Sequence, residues 1–173
     1  MKPNAASQAG TSSLDPQIAL LLRVIDQAFD HRSWHGPNLR AALRGVTAQQ
    51  AAWRSQPGRH NIWELAVHAA YWKYIAYRRL VNLSTGSFGI AGSNWFPRPE
   101  AEPSAAAWRR DLSLLAGHHR TLRQAVAALR PEDLAVRPPG GGRDTAQDLI
   151  LGVAAHDVYH AGQILLLRRL QGC

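Results

Sequence analysis

The chain has 173 residues, 46% of them hydrophobic and 18% charged, a balance that excludes a disordered polyelectrolyte and suits one globular domain with its own core. Its formal charge is +8, supplied almost wholly by arginine, with lysine only at Lys2 and Lys73; no basic block forms, so no nucleic-acid partner is expected. The single cysteine is Cys173, which excludes an internal disulfide or a cysteine-based zinc site and fits a reducing, cytoplasmic location.

Residues 1–13 are small and polar, without the apolar stretch of a signal peptide. They are expected to form a disordered tail ahead of a single domain spanning 14–173. No later run reads as a membrane span, and no membrane partner is expected.

Helix one should open at Asp15-Pro16, an N-cap followed by proline at the first helical position, with Leu14 as a hydrophobic staple. Ile18, Leu21, Leu22, Ile25 and Phe29 then share one face, and the helix should end near Asp30. The connection from His31 to His60 is broken by Gly36-Pro37 and Pro57-Gly58 and should hold two short helical pieces, Pro37 to Arg44 and Thr47 to Trp53. Thr47 and Gln50 have capping-box spacing. Trp34 and Trp53 are expected to cover the end of the molecule.

Helix two should start at the N-cap Asn61 and run to about Asn82, with His68 on or beside its apolar face and Glu64 one turn earlier. From Ser84 to Pro103, Gly, Ser and Pro exclude regular structure. A segment this long can travel the length of a helix and make helices two and three parallel. Trp95 and Phe96, near its middle, are either a patch over the core or a flap over a site.

Helix three, about Ser104 to Leu129, carries the seam Trp108, Leu112, Leu115, His119, Leu122 and Val126. A Pro/Gly-rich connection then leads to Asp144-Thr145 as the cap of helix four. There the seam Leu149, Val153, His156, His160, Gln163, Leu167 and Leu170 alternates steps of four and three. Ala41 to Arg44 recurs as Ala127 to Arg130 in similar surroundings, an echo of two helical-hairpin halves. The fold expected is all-α, a four-helix bundle with a long crossover between helices two and three.

His156 and His160 lie four apart, so both rings can address one point, and an inward imidazole needs a partner. His68 could meet them across the bundle core, where such folds build metal sites. Three neutral imidazoles would leave one coordination position open, the catalytic rather than the structural pattern. A hydrogen-bonded core histidine is the plainer reading of any one of them. Asp157 points off the seam and suits a supporting or surface role. Glu64 suits either a proton acceptor or a salt bridge, and the two carboxylates are the candidate catalytic groups. Gln163 could bond a ligand or fill the core. His119 and His35 are pocket candidates, and His60 could line an entrance.

The segments Asn61-Ile62-Trp63-Glu64-Leu65-Ala66-Val67-His68 and His156-Asp157-Val158-Tyr159-His160-Ala161-Gly162-Gln163 resemble the two signature helices of the DinB/YfiT-like superfamily, a likeness extending from about residue 14 to the C-terminus. The resemblance implies an up-down-down-up four-helix bundle with a divalent metal on His68, His156 and His160. Members use a low-molecular-weight thiol as S-transferases or a thiol-dependent isomerase, or are described as metal-dependent hydrolases or damage-inducible proteins. The leading expectation is therefore a thiol-dependent S-transferase acting on a small molecule, with zinc or nickel as the foremost metals. The alternatives are a hydrolase using a metal-bound water and a non-catalytic stress-related binding bundle. Arg59 and Arg143, just ahead of helices two and four, are candidates for a cofactor's carboxylates, and a homodimer is the default assembly.

Overall fold

The computed structural model describes residues 14–98 and 103–172, and every regular element among them is helical. The expected tail, residues 1–13, and Cys173 lie outside the described residues. The long helices are α1 (Pro16–Phe29), α4 (Ile62–Leu80), α5 (Ala105–Ala127) and α6 (Ala146–Leu170), and the short ones are α2 (Leu39–Leu43) and α3 (Ala48–Ala52). A 3-10 turn, Pro131–Ala135, stands inside the connection that sequence reading treats as irregular.

Local chemistry explains the starts. The carboxylate of Asp15 accepts from the amides of Gln17 and Ile18 with Pro16 at the first position, while capping boxes open α3 (Thr47, Gln50), α4 (Asn61, Glu64) and α6 (Thr145, Asp148). Each box satisfies donors that a helix start leaves unpaired. Leu14 is 46% exposed and does not serve as a buried staple.

Trp63 near the start of α4 donates its indole N–H to Asp111 in the early turns of α5 at 2.6 Å, and Tyr74 packs against His118 farther along both helices. On the other side, His68 and Lys73 of α4 meet His156 and Asp157 of α6. Asp26 of α1 accepts both oxygens' bonds from Arg123 of α5. The core falls into two apolar clusters, one around Leu39, Trp63, Leu65 and Trp108 and the other around Ile18, Ile25, Leu122 and Ile150.

The crossover between α4 and α5 is irregular yet anchored. Phe88 and Phe96 are buried against each other and against Tyr71, with ring centroids 5.0–5.4 Å apart. Arg98 bonds Asp111 at 2.8 Å, which ties the segment to α5.

Several expectations need correction. Trp34 covers nothing: it is fully exposed, in a turn where Gly36 adopts a left-handed φ of 102°. The buried stripe of α6 is rotated from the expected seam and runs through Ile150, Val153, Asp157, His160 and Ile164, leaving Leu170 59% exposed. Asp157 is therefore not off the seam but 1% exposed. Nor does the chain lack a helix of membrane-span length, since α6 has the length and the mean hydropathy (1.2) of one. It packs against α1, α2 and α4, and it carries the buried polar groups Asp157 and His160.

His119 is buried on the core line of α5, stacked on Phe29 at 4.0 Å and 3.6 Å from Asp26, whose charge Arg123 engages. Loss of water and the nearby Lys73 charge hold its imidazole neutral down to about pH 3, against a weaker opposing pull from Asp30. A folded-state pKa below the unfolded value means that this contribution to stability is present above about pH 6.5 and is lost as pH falls toward 3. His119→Gln removes the titration. Urea unfolding at pH 7 and pH 4 is expected to show the wild-type advantage over the variant shrinking by on the order of 2 kcal/mol at the lower pH.

Candidate metal centre

The three histidines on α4 and α6 converge. Nε2 of His156 lies 3.1 Å from Nε2 of His68 and 2.9 Å from Nε2 of His160. Among the described residues, this trio is the group whose donor atoms meet closely enough to hold one ion. Metal–nitrogen bonds of 2.0–2.1 Å at a tetrahedral angle separate neighbouring nitrogens by about 3.3 Å. The observed spacings are within a few tenths of an ångström of that.

Outer contacts fix which nitrogens face inward. The Nδ1 of His68 lies 2.7 Å from the carbonyl oxygen of Asn94; a carbonyl only accepts, so Nδ1 carries the proton and Nε2 keeps its lone pair. Nδ1 of His160 bonds Oε1 of Gln163 at 2.6 Å with the same result. The Nδ1 of His156 is buried without a protein partner among the described residues. Three imidazole nitrogens facing one another at this range match a cation better than they match each other, so the residues present fit a divalent metal.

Burial sets the charge state. Desolvation, helped by the neighbouring imidazoles and Lys73, lowers His156 to about 3; desolvation lowers His160 to about 4 against the bond from Gln163. Desolvation also lowers His68, opposed by its bond to Asn94. All three are neutral near pH 7, the form that ligates metal.

The crossover segment closes one side of the centre. Trp95 stacks flat between His68 and His60, with centroid distances of 3.8 and 3.5 Å and interplanar angles of 5°. Of the two expected roles for Trp95 and Phe96, each residue takes one: Trp95 covers the histidines, and Phe96 fills the core. Asn94 holds φ at 61°, a left-handed conformation that asparagine tolerates better than most side chains. Its side-chain oxygen accepts from the Trp72 indole at 3.0 Å while its carbonyl meets His68. No periodicity marks Asn94 in the sequence; a loop asparagine before an aromatic pair is the only hint.

The remaining site candidates separate. Glu64 is locked in a two-armed pair with Arg54 and also takes His60 at 3.1 Å; burial pushes its carboxyl up, but these bonds outweigh it and hold it low. Asp157 pairs with Lys73, both 1% exposed, and burial drives it up to about 6 against the pull of the ammonium. His119 packs with α1. His35 is exposed in the turn after α1. Arg143 lies ahead of α6, whose first residue, Ala146, is 10 residues before His156, about 15 Å along a helix at 1.5 Å per residue, whereas Arg59 lines a cavity that His160 also lines.

That cavity, about 790 Å³, is lined by Trp95, His60, His160 and Gln163 and by leucines of α4 and α6. No carboxylate is among its lining residues.

A family model described as the DinB superfamily matches residues 32–164, most of the 173-residue chain and all three histidines. The match is narrower than the likeness read from the sequence, for it leaves out α1 and the last turn of α6. No curated protein and no solved structure matches the chain.

The Lys73–Asp157 pair yields a test of how α4 and α6 are joined beside the centre. Asp157→Asn strands a buried ammonium and is expected to cost about 3–5 kcal/mol in urea unfolding. The double change Lys73→Met with Asp157→Leu should recover most of that loss, since apolar replacements of a buried pair are often neutral.

Proposed function

The chain belongs to the DinB superfamily, and on that footing we propose that it is a metal-dependent enzyme, a thiol-dependent S-transferase acting on a small molecule. The observation that carries this reading is the meeting of three neutral imidazole nitrogens beside a cavity lined by no carboxylate. His68, His156 and His160 would hold a divalent ion; imidazole suits zinc, nickel, iron and copper alike, and zinc or nickel is the metal proposed. When bound, such an ion lowers the pKa of a thiol so that it stays in the nucleophilic thiolate form.

The chain's own residues do the rest. Asn94 and Gln163 hold two of the rings in one tautomer and one orientation, and Trp95 keeps water from the face of His68. Arg59, at the cavity, suits a carboxylate of cofactor or substrate through paired hydrogen bonds.

A hydrolase that relies on a carboxylate base is the second reading. It is weakened by one observation: Glu64 and Asp157, its two candidates, are each tied to a cation. For the scaffold we propose a single domain over 14–173 with the up-down-down-up arrangement. It is supported by contacts pairing the starts of α4 and α5 and setting His68 and Lys73 of α4 against His156 and Asp157 of α6. A reducing cytoplasm suits thiol chemistry and a chain with one cysteine.

Metal analysis of protein purified without a polyhistidine tag is expected to give about one divalent ion per chain, with His156→Ala reducing it to background. Turnover of an electrophilic substrate should require bacillithiol, mycothiol or glutathione. Thiol-independent hydrolysis at the same rate would favour the second reading, and protein without stoichiometric metal would remove both.

A further inference from the structure

The cavity beside the histidines has an unusual mixture of walls. Trp53, Tyr159, Leu166 and Leu170, between 37% and 64% exposed, all line it. They are four of the eleven exposed large hydrophobic residues among those described, gathered at one place and joined there by Leu65 and Leu167. Apolar surface left in water over a continuous area marks a binding site more often than a solvated face. The volume, about 790 Å³, falls in the range of about 300–1,000 Å³ typical of small-molecule pockets.

One full charge lines this cavity. Arg59 is its only arginine or lysine, no aspartate or glutamate lines it, and Arg59 forms no ion pair among the described residues. The neighbouring Arg54 differs, being committed to Glu64. A guanidinium unpaired with any carboxylate among the described residues, lining an apolar pocket, presents a planar fork of donors suited to a carboxylate or sulfonate. Polar contacts beyond it come from Ser55, Gln56 and Gln163.

We propose that this cavity takes an amphipathic organic anion: an aromatic or alkyl body against the leucines and indoles, and one carboxylate or sulfonate head at Arg59. This deepens the reading above by giving the class of small molecule that the same site accepts, and it rests on that reading for its link to catalysis. A polyhydroxylated thiol alone would set hydroxyl groups against leucine and indole, leaving the apolar walls unmatched. The anion is therefore the co-substrate, and the His160 end of the cavity is where it approaches the metal centre.

The test compares two probes with the same rings, 1-anilinonaphthalene-8-sulfonate and the neutral N-phenyl-1-naphthylamine, by fluorescence titration of metal-free protein. The wild type is expected to bind the sulfonate about tenfold more tightly than the neutral probe, the difference one charge-assisted head contact makes. Arg59→Gln should abolish most of that preference while changing the neutral probe's affinity by less than about twofold. Leu166→Glu, at a wall position, should weaken both probes by removing apolar surface and the sulfonate by severalfold more through charge repulsion, which places the bound anion in this cavity. Equal affinities, an unchanged preference in Arg59→Gln, parallel loss of both probes, or indifference to Leu166→Glu would each overturn the proposal. Repeating the titration in His156→Ala separates the two readings: anion preference retained there, whatever the metal analysis shows, sustains the pocket, and its loss refers the preference to the histidines and overturns the role of Arg59.

Discussion

Lys73 on α4 and Asp157 on α6 are charges removed almost completely from water, and such a pair is tolerated only where the partners meet. That requirement fixes the register of the two helices that carry the histidines. Asp157 follows His156 directly, and Lys73 lies five residues beyond His68. A slip of one turn would strand both charges and part the imidazoles together. Apolar contacts around Ile150 and Leu65 press the helices together without specifying how far one has slid along the other. The ion pair supplies the missing coordinate, and the 3.1 Å Nε2 spacing between His68 and His156 follows from it, while the 2.9 Å between His156 and His160 is set within α6 by their four-residue separation.

The fold was legible wherever local chemistry announces itself. Caps at Asp15, Thr47, Asn61 and Thr145 mark helix starts by side chains that serve nearby amides, and the crossover declares itself by its prolines and glycines. The three histidines were legible because four-residue spacing and a helical stripe are properties of sequence. Asp157 was misplaced for a related reason. The two histidines drew the seam through themselves, whereas the bundle rotates α6 so that Asp157 lies at its centre and His156 toward its flank. Period alone places a face poorly when large apolar residues stand on the exposed side as well, as Leu151, Tyr159, Leu166 and Leu170 do in α6. Trp34 failed differently, since bulk and hydrophobicity argue for burial but the residue sits in a glycine turn between helices, where no packed face receives it.

What sequence could not offer was the part of the site made by main chain. The carbonyl of Asn94 orients His68, and a carbonyl has no residue signature. Trp95 is held between His60 and His68 by flat stacking, a contact between positions far apart in the chain. Thus the irregular segment and the regular helices divide the work. The helices bring the three Nε2 atoms together, while the crossover selects the tautomer of His68 and shields one side.

The backbone at Asn94 has a consequence for how this protein can vary. Its left-handed φ of 61° is inexpensive for asparagine or glycine and costly for β-branched residues, and glycine would surrender the bond to Trp72. The crossover on either side is held mainly by the burial of Phe88 and Phe96, contacts that repacking can replace. Drift should accordingly be slow at Asn94 and at the left-handed glycines ahead of it and faster where packing alone holds the segment, so that the least regular stretch of the chain contains some of its least replaceable residues.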